Sequence, residues 1–415
     1  MPALQPVRGT QDLLPDAARR HRHVRETARR LAELYGFAEI DIPVFEFTEV
    51  FARPIGEHTD IVSKEMYSLK DRGGEDLSLR PEFTAGIVRA VLSNGLTQSA
   101  PLKFFASGPV FRYERPQKGR FRQFHQIDAE ILGVAQPQAD IELIALARRT
   151  LDALEIGERV VLELNTLGDL PSRQHYRTGL VSYFSSFKER LSEDSQRRLV
   201  TNPLRILDSK DPEDREIISS APKLTDYMTS ESQDFYQRVR DGLEFLNIKF
   251  QVNPHLVRGL DYYTHTVFEF VTTDLGAQGT VLAGGRYDGL VELMGGPAVP
   301  GVGWAAGVER LAMLIAEPAR PARPVALIAL GGNAEHLCMR EAEELRNAGL
   351  PVEFIYSGNL QRRLTKANRL GARVAVIIGD NEIHSDAATV RDLDSGVQES
   401  VSRGDLVARI KELMG

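Results

Sequence analysis

The densest chemistry in the 415-residue sequence lies between Gly108 and Glu130. Arg112, Arg115, Lys118, Arg120 and Arg122 supply cations there, Tyr113 and Phe124 supply rings, and Glu114, Asp128 and Glu130 supply carboxylates. Guanidinium forks match phosphate oxygens, and an aromatic ring matches the face of a nucleobase. A carboxylate accepts from an exocyclic amine. Together these groups fit a nucleotide laid across strands. Alternation by twos makes the stretch two strands joined by a basic loop. Val110, Arg112 and Glu114 share one face, with Phe111 and Tyr113 opposite. Gln126, Asp128 and Glu130 share the other polar face, with Ile127, Ala129 and Ile131 beneath. Pro116 and Gly119 supply the bend. A surface hairpin with a solvated face has the same alternation; the cations mixed with aromatics in the loop distinguish the nucleotide reading.

Other stretches add to this set. Glu82 and Thr84 stand where a strand, Leu77-Ser-Leu-Arg, turns into a helix running through Leu92, a corner that faces pockets more often than cores. Arg258-Gly-Leu-Asp-Tyr-Tyr263 packs a cation, a glycine and two phenols together. Gly284-Gly-Arg-Tyr-Asp-Gly-Leu290 reads as a tight turn, and Gly301-Val-Gly-Trp-Ala-Ala-Gly as a small-residue strand entering a helix opened by Arg310. Small residues let a backbone come close to a ligand. No Gly-x-x-x-x-Gly-Lys-Ser/Thr loop is present, and no Gly-x-Gly-x-x-Gly follows a strand, so the two commonest phosphate loops are excluded. No Ser-His-Asp or Cys-His constellation stands out.

The elements that must hold these groups follow from pattern. A helix is expected to Tyr35, with Val24, Ala28, Leu31 and Tyr35 on one face. Glu39–Phe47 alternates as a strand, and Pro43 marks an edge or interface. Tyr67–Arg72 enters a turn at Gly73-Gly74. Asp140–Leu154 reads as helix and Arg159–Asn165 as strand. From 168 to 248 the chain is richer in charge and helical, broken at Asn202-Pro203 and Asp211-Pro212. The tail of the stretch 255–270 alternates as a strand. Glu317-Pro-Ala-Arg-Pro-Ala-Arg-Pro324 is a linker. Beyond it, strands at 325–330, 352–356 and 373–378 alternate with helices at 334–348 and 360–370; paired strands and a last helix complete a small α/β unit. Arg362, Arg363, Lys366, Arg369 and Arg373 crowd one segment of it, a solvated helix face or a binding face.

Composition sets outer limits. A hydrophobic content of 42% and a charged content of 26% suit a globular protein with ample core. The net charge of -7 means that any nucleic acid must be met by local basic patches. Cys338 stands alone, which excludes an intramolecular disulfide and a multi-cysteine metal site. No signal-peptide core and no membrane-length apolar run is seen, so a cytoplasmic protein without a membrane partner is expected.

Phe111-Arg-Tyr-Glu114, the basic loop, and Arg120-x-x-x-Phe124 with the acidic residue beyond resemble motif 2 of the class II aminoacyl-tRNA synthetases. The longer run from Phe111 to Gln126 resembles the histidyl-tRNA synthetase family in particular. Tyr35–Glu46 resembles motif 1, Gly301–Leu311 resembles motif 3, and Arg258–Tyr263 resembles the family's histidine-specific motif. The resemblance implies an α+β catalytic core with a mostly antiparallel sheet flanked by helices (1–167 and 249–317). It further implies a helical insertion (168–248), a linker (318–324) and a small C-terminal α/β anticodon-binding domain (325–415). It implies a homodimer that activates L-histidine with ATP and Mg²⁺ and transfers it to tRNA(His). Arg258 and Arg112 would be catalytic, bridging the amino acid and the α-phosphate. Glu82, Thr84 and Gln126 would accept from the histidine ammonium. Glu130 and Tyr263 would meet the imidazole, with Tyr262 and Tyr287 shaping the pocket. Arg120, Arg122 and Arg310 would hold the phosphate tail, Phe124 would stack on adenine and Glu114 would face its amine. Arg115, Gln117 and Lys118 would meet the tRNA acceptor end. No protein side chain is assigned to the metal. Where this sequence has Phe83 the family has glycine, so added bulk in the histidine pocket is expected. The competing expectation is a non-catalytic histidine-sensing relative of histidine biosynthesis; the intact Arg258–Tyr263 stretch and the C-terminal unit oppose it.

Overall fold

The computed structural model describes residues 4–415 except 57, 58, 60, 118, 258, 259, 261, 277 and 278. Lys118 and Arg258 therefore lie outside the described residues. The chain forms two units, Met1–Pro318 and Ala319–Gly415. Among the described residues, no helix is long and apolar enough to cross a membrane.

In chain order the strands of the first unit are β1 (Ala38–Glu39), β2 (Phe45–Phe47), β3 (Ser68–Lys70), β4 (Asp76–Leu79), β5 (Leu102–Phe111), β6 (Gln123–Leu132), β7 (Val161–Thr166), β8 (Gln251–Val252), β9 (Thr264–Val271), β10 (Thr280–Arg286) and β11 (Gly301–Gly307). Eight of them make one sheet in the order β1-β5-β6-β11-β10-β9-β7-β8, and β2-β4-β3 make a small second sheet. From β5 to β7 every pair in the large sheet is antiparallel. The parallel pairs are the short end ones, β1 with β5 and β7 with β8.

The two faces of this sheet differ as period-two patterning requires. Phe105, Ala129, Trp304, Gly284 and Phe268 lie in one row across β5, β6, β11, β10 and β9. Their face is apolar and joins a core with Val24, Ala28 and Leu31 of the helix Pro15–Leu34 and Leu143, Ile144 and Leu151 of the helix Gln138–Ala153. The opposite face carries the rows Phe104–Glu130–Gly303–Gly285–Val267 and Ala106–Asp128–Ala305–Ala283–Glu269. Its residues on β10 and β11 are glycine or alanine, so these strands form an open floor.

Two local expectations change. Glu39–Phe47 is not a continuous strand: β1 and β2 are separated by an irregular segment. Pro43 has no N–H to give a ladder, and the Arg80 guanidinium takes the carbonyls of Ile42 and Pro43. Gly284 and Gly285 lie inside β10 rather than in a turn, which comes later at Asp288-Gly289. A Cβ on Gly284 would meet the Gly303 carbonyl at 2.2 Å, and one on Gly285 the Thr266 carbonyl at 2.6 Å. Both glycines serve close strand packing.

Residues 170–218 fold into the helices Leu170–Ser185, Glu193–Thr201 and Pro212–Ile218 around Tyr176, Leu180, Phe184, Ile206 and Ile217. The chain breaks read from Asn202-Pro203 and Asp211-Pro212 are helix starts with proline in the first turn. The next helix, Ser230–Phe245, instead puts Tyr236, Val239 and Leu243 into the main core.

The second unit has β12 (Val325–Ala329), β13 (Val352–Phe354), β14 (Val374–Ile378), β15 (Ala387–Asp392) and β16 (Gln398–Ser402), in the order β13-β12-β14-β15-β16. β13, β12 and β14 are parallel; β14, β15 and β16 are antiparallel. Apolar clusters cover both sheet faces, one of them holding the buried Cys338.

Candidate active site

A cavity of about 350 Å³ opens over the glycine and alanine floor. Glu82, Thr84, Arg112, Glu114, Arg120, Phe124, Gln126, Tyr262, Tyr263 and Arg310 all line it. Residues from a strand-to-helix corner, a hairpin, a distant turn and the start of the helix Val308–Leu314 thus converge on one space.

The corner is fixed by Glu82, whose carboxylate accepts from the backbone N–H of Thr84 (2.6 Å) and Ala85 (2.8 Å) and so caps the helix Thr84–Ser93. Burial raises its pKa above the ordinary carboxylate range. Thr84 Oγ1 in turn donates to Glu130 Oε1, and the Tyr287 hydroxyl donates to Glu130 Oε2. Glu130 is wholly buried, and burial pushes its pKa up to about 8. It sits beneath the cavity wall. Gly303 makes this possible, since a Cβ there would fall 1.5 Å from Glu130 Oε2. Tyr262 and Tyr287 pack edge to face with ring centres 5.7 Å apart, and burial keeps both phenols neutral. Tyr262 and Tyr263 lie 4.8 Å apart, and Gly285 leaves room for the Tyr263 ring.

Polar acceptors remain for a ligand. Gln126 Oε1 is buried with no hydrogen-bond partner among the described residues, and so are both oxygens of Asp128. Burial first, then the neighbouring Glu130 and Glu82, raises the Asp128 pKa well above the ordinary carboxylate range.

Along the hairpin, Arg112 donates from Nε to the Pro81 carbonyl at 2.9 Å and its guanidinium lies 5.5 Å from the Phe124 ring centre. Glu114 pairs with Arg120 at 2.7 Å. Gly119 (φ +73) turns the loop tip inward against Arg310. Burial, then the like charge of Arg120, lowers the Arg310 pKa. Arg115 and Gln117 are exposed on the loop.

Tyr287 stands behind the wall with Glu130, to which it donates, and two further expected members stand elsewhere. Arg122 is not on the cavity wall: its guanidinium stacks 3.8 Å from the Tyr113 ring centre and its stem packs on Gly9. Phe83 has an ordinary φ of -97 and points into an apolar cluster with Ile42, Ile87, Ala106 and Val110. It adds no bulk to the cavity, because Gly108 gives its ring room and the Arg80 guanidinium covers it at 4.2 Å.

The sequence reading missed several groups. Glu269, held by Thr280 Oγ1 at 2.7 Å, and Glu309 line the cavity. Glu309 accepts the His125 backbone N–H at 2.9 Å and meets His125 Nδ1 at 2.9 Å. Its position just before Arg310 was the available signal. Arg286, buried against Asp140, Asp288 and the Val134 carbonyl, anchors the strand end that carries Tyr287; nothing in the sequence pairs it with Asp140.

Comparison with known proteins bears on this site. Residues 9–170 and 194–311 match the family described as Histidyl-tRNA synthetase, and residues 324–413 match the Anticodon binding domain. The chain is 57% identical over 402 residues to a histidine–tRNA ligase of Rhodospirillum rubrum, covering 97% of each. It is 54% identical to one of Gluconacetobacter diazotrophicus, covering all of each. The crystal structure of apo histidyl-tRNA synthetase of S. aureus superimposes with a TM-score of 0.83 at 32% identity, over 99% of this chain and 100% of that one.

Proposed function

The chain belongs to the histidyl-tRNA synthetase family and is an aminoacyl-tRNA ligase, and from that premise we propose how its residues divide the work. A carboxylate oxygen of L-histidine attacks the α-phosphorus of ATP, the bond to pyrophosphate breaks, and histidyl-adenylate forms. The 3′-terminal ribose hydroxyl of tRNA(His) then attacks the activated carbonyl and AMP leaves. Identity to ligases over the whole chain sets aside the non-catalytic histidine-sensing alternative.

The observation that carries the residue assignment is that one cavity is lined by members of both the amino-acid and the nucleotide sets. Gln126 Oε1, Thr84 and Glu82 take the ammonium; the unpartnered Gln126 oxygen supports this. Glu130 and Tyr263 take the imidazole, within walls made by Tyr262 and Tyr287. A carboxylate offers more lone pairs than the two hydroxyls occupy, so Glu130 accepts an imidazole N–H beside them. Arg112 sits between the two sets and meets the α-phosphate. Phe124 stacks on adenine, and its amine reaches Glu114, displacing part of the Glu114–Arg120 pair. Arg120 and Arg310 face the phosphate tail, while Arg122 braces the hairpin. Mg²⁺ bound with ATP would neutralise phosphate charge. Glu269 on the same wall is the oxygen donor that suits such a hard ion. Arg258 ties the histidine carboxylate to the α-phosphate.

Arg115, Gln117 and Lys118 meet the acceptor end, where stacking and base-edge hydrogen bonds read RNA. The second unit reads the anticodon, with Arg362 and Arg369 exposed on its basic helix. A homodimer fits the small sheet, whose Phe45 and Phe47 are more than half exposed, and a cytoplasmic location accompanies the reading. The test is histidine-dependent ATP–pyrophosphate exchange. Arg258→Ala should lower it at least ~10²-fold, the scale for losing one donor to developing negative charge, with ATP still bound. Near-normal exchange in that variant would remove Arg258 from the mechanism.

A further inference from the structure

Behind the nucleotide wall three side chains from three elements meet: His21 on the helix Pro15–Leu34, His125 on β6, and Glu309 on the helix Val308–Leu314. One donor atom from each lies within 4.8 Å of the other two. The imidazoles stand perpendicular with ring centres 5.6 Å apart. His21 is only 6% exposed, and its Nδ1 is buried with no hydrogen-bond partner among the described residues. A buried ring nitrogen left unmatched is costly. Beside the trio lies a second cavity of about 310 Å³, lined by His21, Glu309, Gln11, Arg20 and Phe121. Arg20 on that wall is turned to the Ala312 and Ile315 carbonyls and to Glu317.

From this geometry we propose that His21, His125 and Glu309 form a site for a Zn²⁺-class divalent ion. Two imidazoles and one carboxylate are the donors of a three-ligand zinc site with an open fourth position. They do not suit Mg²⁺, which takes oxygen ligands. The site is therefore separate from the ion that accompanies ATP. Bonds of about 2.0–2.2 Å place the donors roughly 3.3–3.6 Å apart. His125 Nδ1 and Glu309 Oε1, now at 2.9 Å, would part slightly and His21 would close in. The adjoining cavity supplies space for a water as fourth ligand. Glu309 also lines the nucleotide cavity, so the ion would sit against the ATP wall without occupying it.

The probe is the metal alone, with the full-length chain freed of metal by chelation. Equilibrium dialysis with Zn²⁺ should find about one equivalent bound, and Co²⁺ in its place should give the visible absorption of a low-coordinate site. His21→Phe, which keeps the ring volume, should weaken binding at least ~100-fold and abolish the Co²⁺ band, while exchange activity without added Zn²⁺ persists. Cys338→Ser should leave binding unchanged, since that thiol lies in the other unit. His21→Ala, run alongside, keeps the comparison decisive if the larger ring does not seat. Absence of stoichiometric binding in the unsubstituted protein, undiminished binding in the His21 variants, or loss of binding in Cys338→Ser would each overturn the proposal.

Discussion

Glu130 is where recognition and stability meet. It is buried with both oxygens taking hydroxyl donors, and burial holds its proton up to about 8 against a starting value of 4.5. Between those limits the folded chain keeps a proton that the unfolded chain has released, so stability falls as pH climbs from 4.5 to about 8. The raised pKa values of Glu82 and Asp128 act in the same direction. Glu130→Gln should flatten the slope of the denaturation midpoint with pH over that window. It should also raise the KM for histidine by roughly 2–10-fold, the worth of one hydrogen bond to a neutral buried group. An unchanged slope would mean that Glu130 ionises normally in the fold. Phe83 supplies the contrast. Its place in the sequence suggested a pocket residue, but its side chain is core. Phe83→Ala should cost about 3–5 kcal/mol of stability while leaving the KM for histidine unchanged, as unfolding curves and exchange kinetics can separate.

At the scale of elements, the site depends on two strands whose rows beside Glu130 and Asp128 are glycine and alanine. Gly303, Ala305 and Gly307 on β11, with Ala283 and Gly285 on β10, set a floor on which Glu130 and the tyrosines can stand. Gly303→Ala would drive a methyl into the Glu130 carboxylate. We expect a histidine KM raised roughly 5–100-fold, from overpacking of roughly 1–3 kcal/mol, with ATP affinity little altered. Equal losses for both substrates in binding titrations would show that the strand, and not Glu130, had moved. The hairpin and the strand entering Arg310 were legible because their alternation and charge are local. Gly284-Gly285 was not, since glycines that let strands pack close look in sequence like glycines that turn. The break between β1 and β2 was hidden for a similar reason: Ile40, Ile42 and Val44 alternate well, but Arg80 claims the carbonyls that a strand would use. Arg286 with Asp140, and Glu309 with His21 and His125, escaped notice because each meeting joins residues far apart in the chain.

At the scale of the molecule, each unit builds its own apolar clusters. Val325, Leu327, Val374 and Val376 pack with Leu345 and Leu406 on one face of the second sheet, and Ala326, Ile328 and Ile377 pack with Leu364 on the other. Every lining residue of the active cavity comes from the first unit. The prolines at 318, 321 and 324 fall at and just after the division between units. The chemistry and the second unit are thus separable in principle. A chain ending at Pro318 should retain histidine-dependent exchange, because no group lining the cavity is lost. It should lose at least ~10-fold in kcat/KM for charging tRNA(His), equivalent to about 1.4 kcal/mol of binding. Phosphate contacts made by the missing unit would vanish with it, so the dependence of tRNA affinity on salt should become shallower. If the shortened chain charged tRNA as well as the whole one, with the same salt slope, the second unit would have no part in holding the RNA. If exchange also collapsed, the first unit would need its neighbour to fold, which circular dichroism of the shortened chain would reveal.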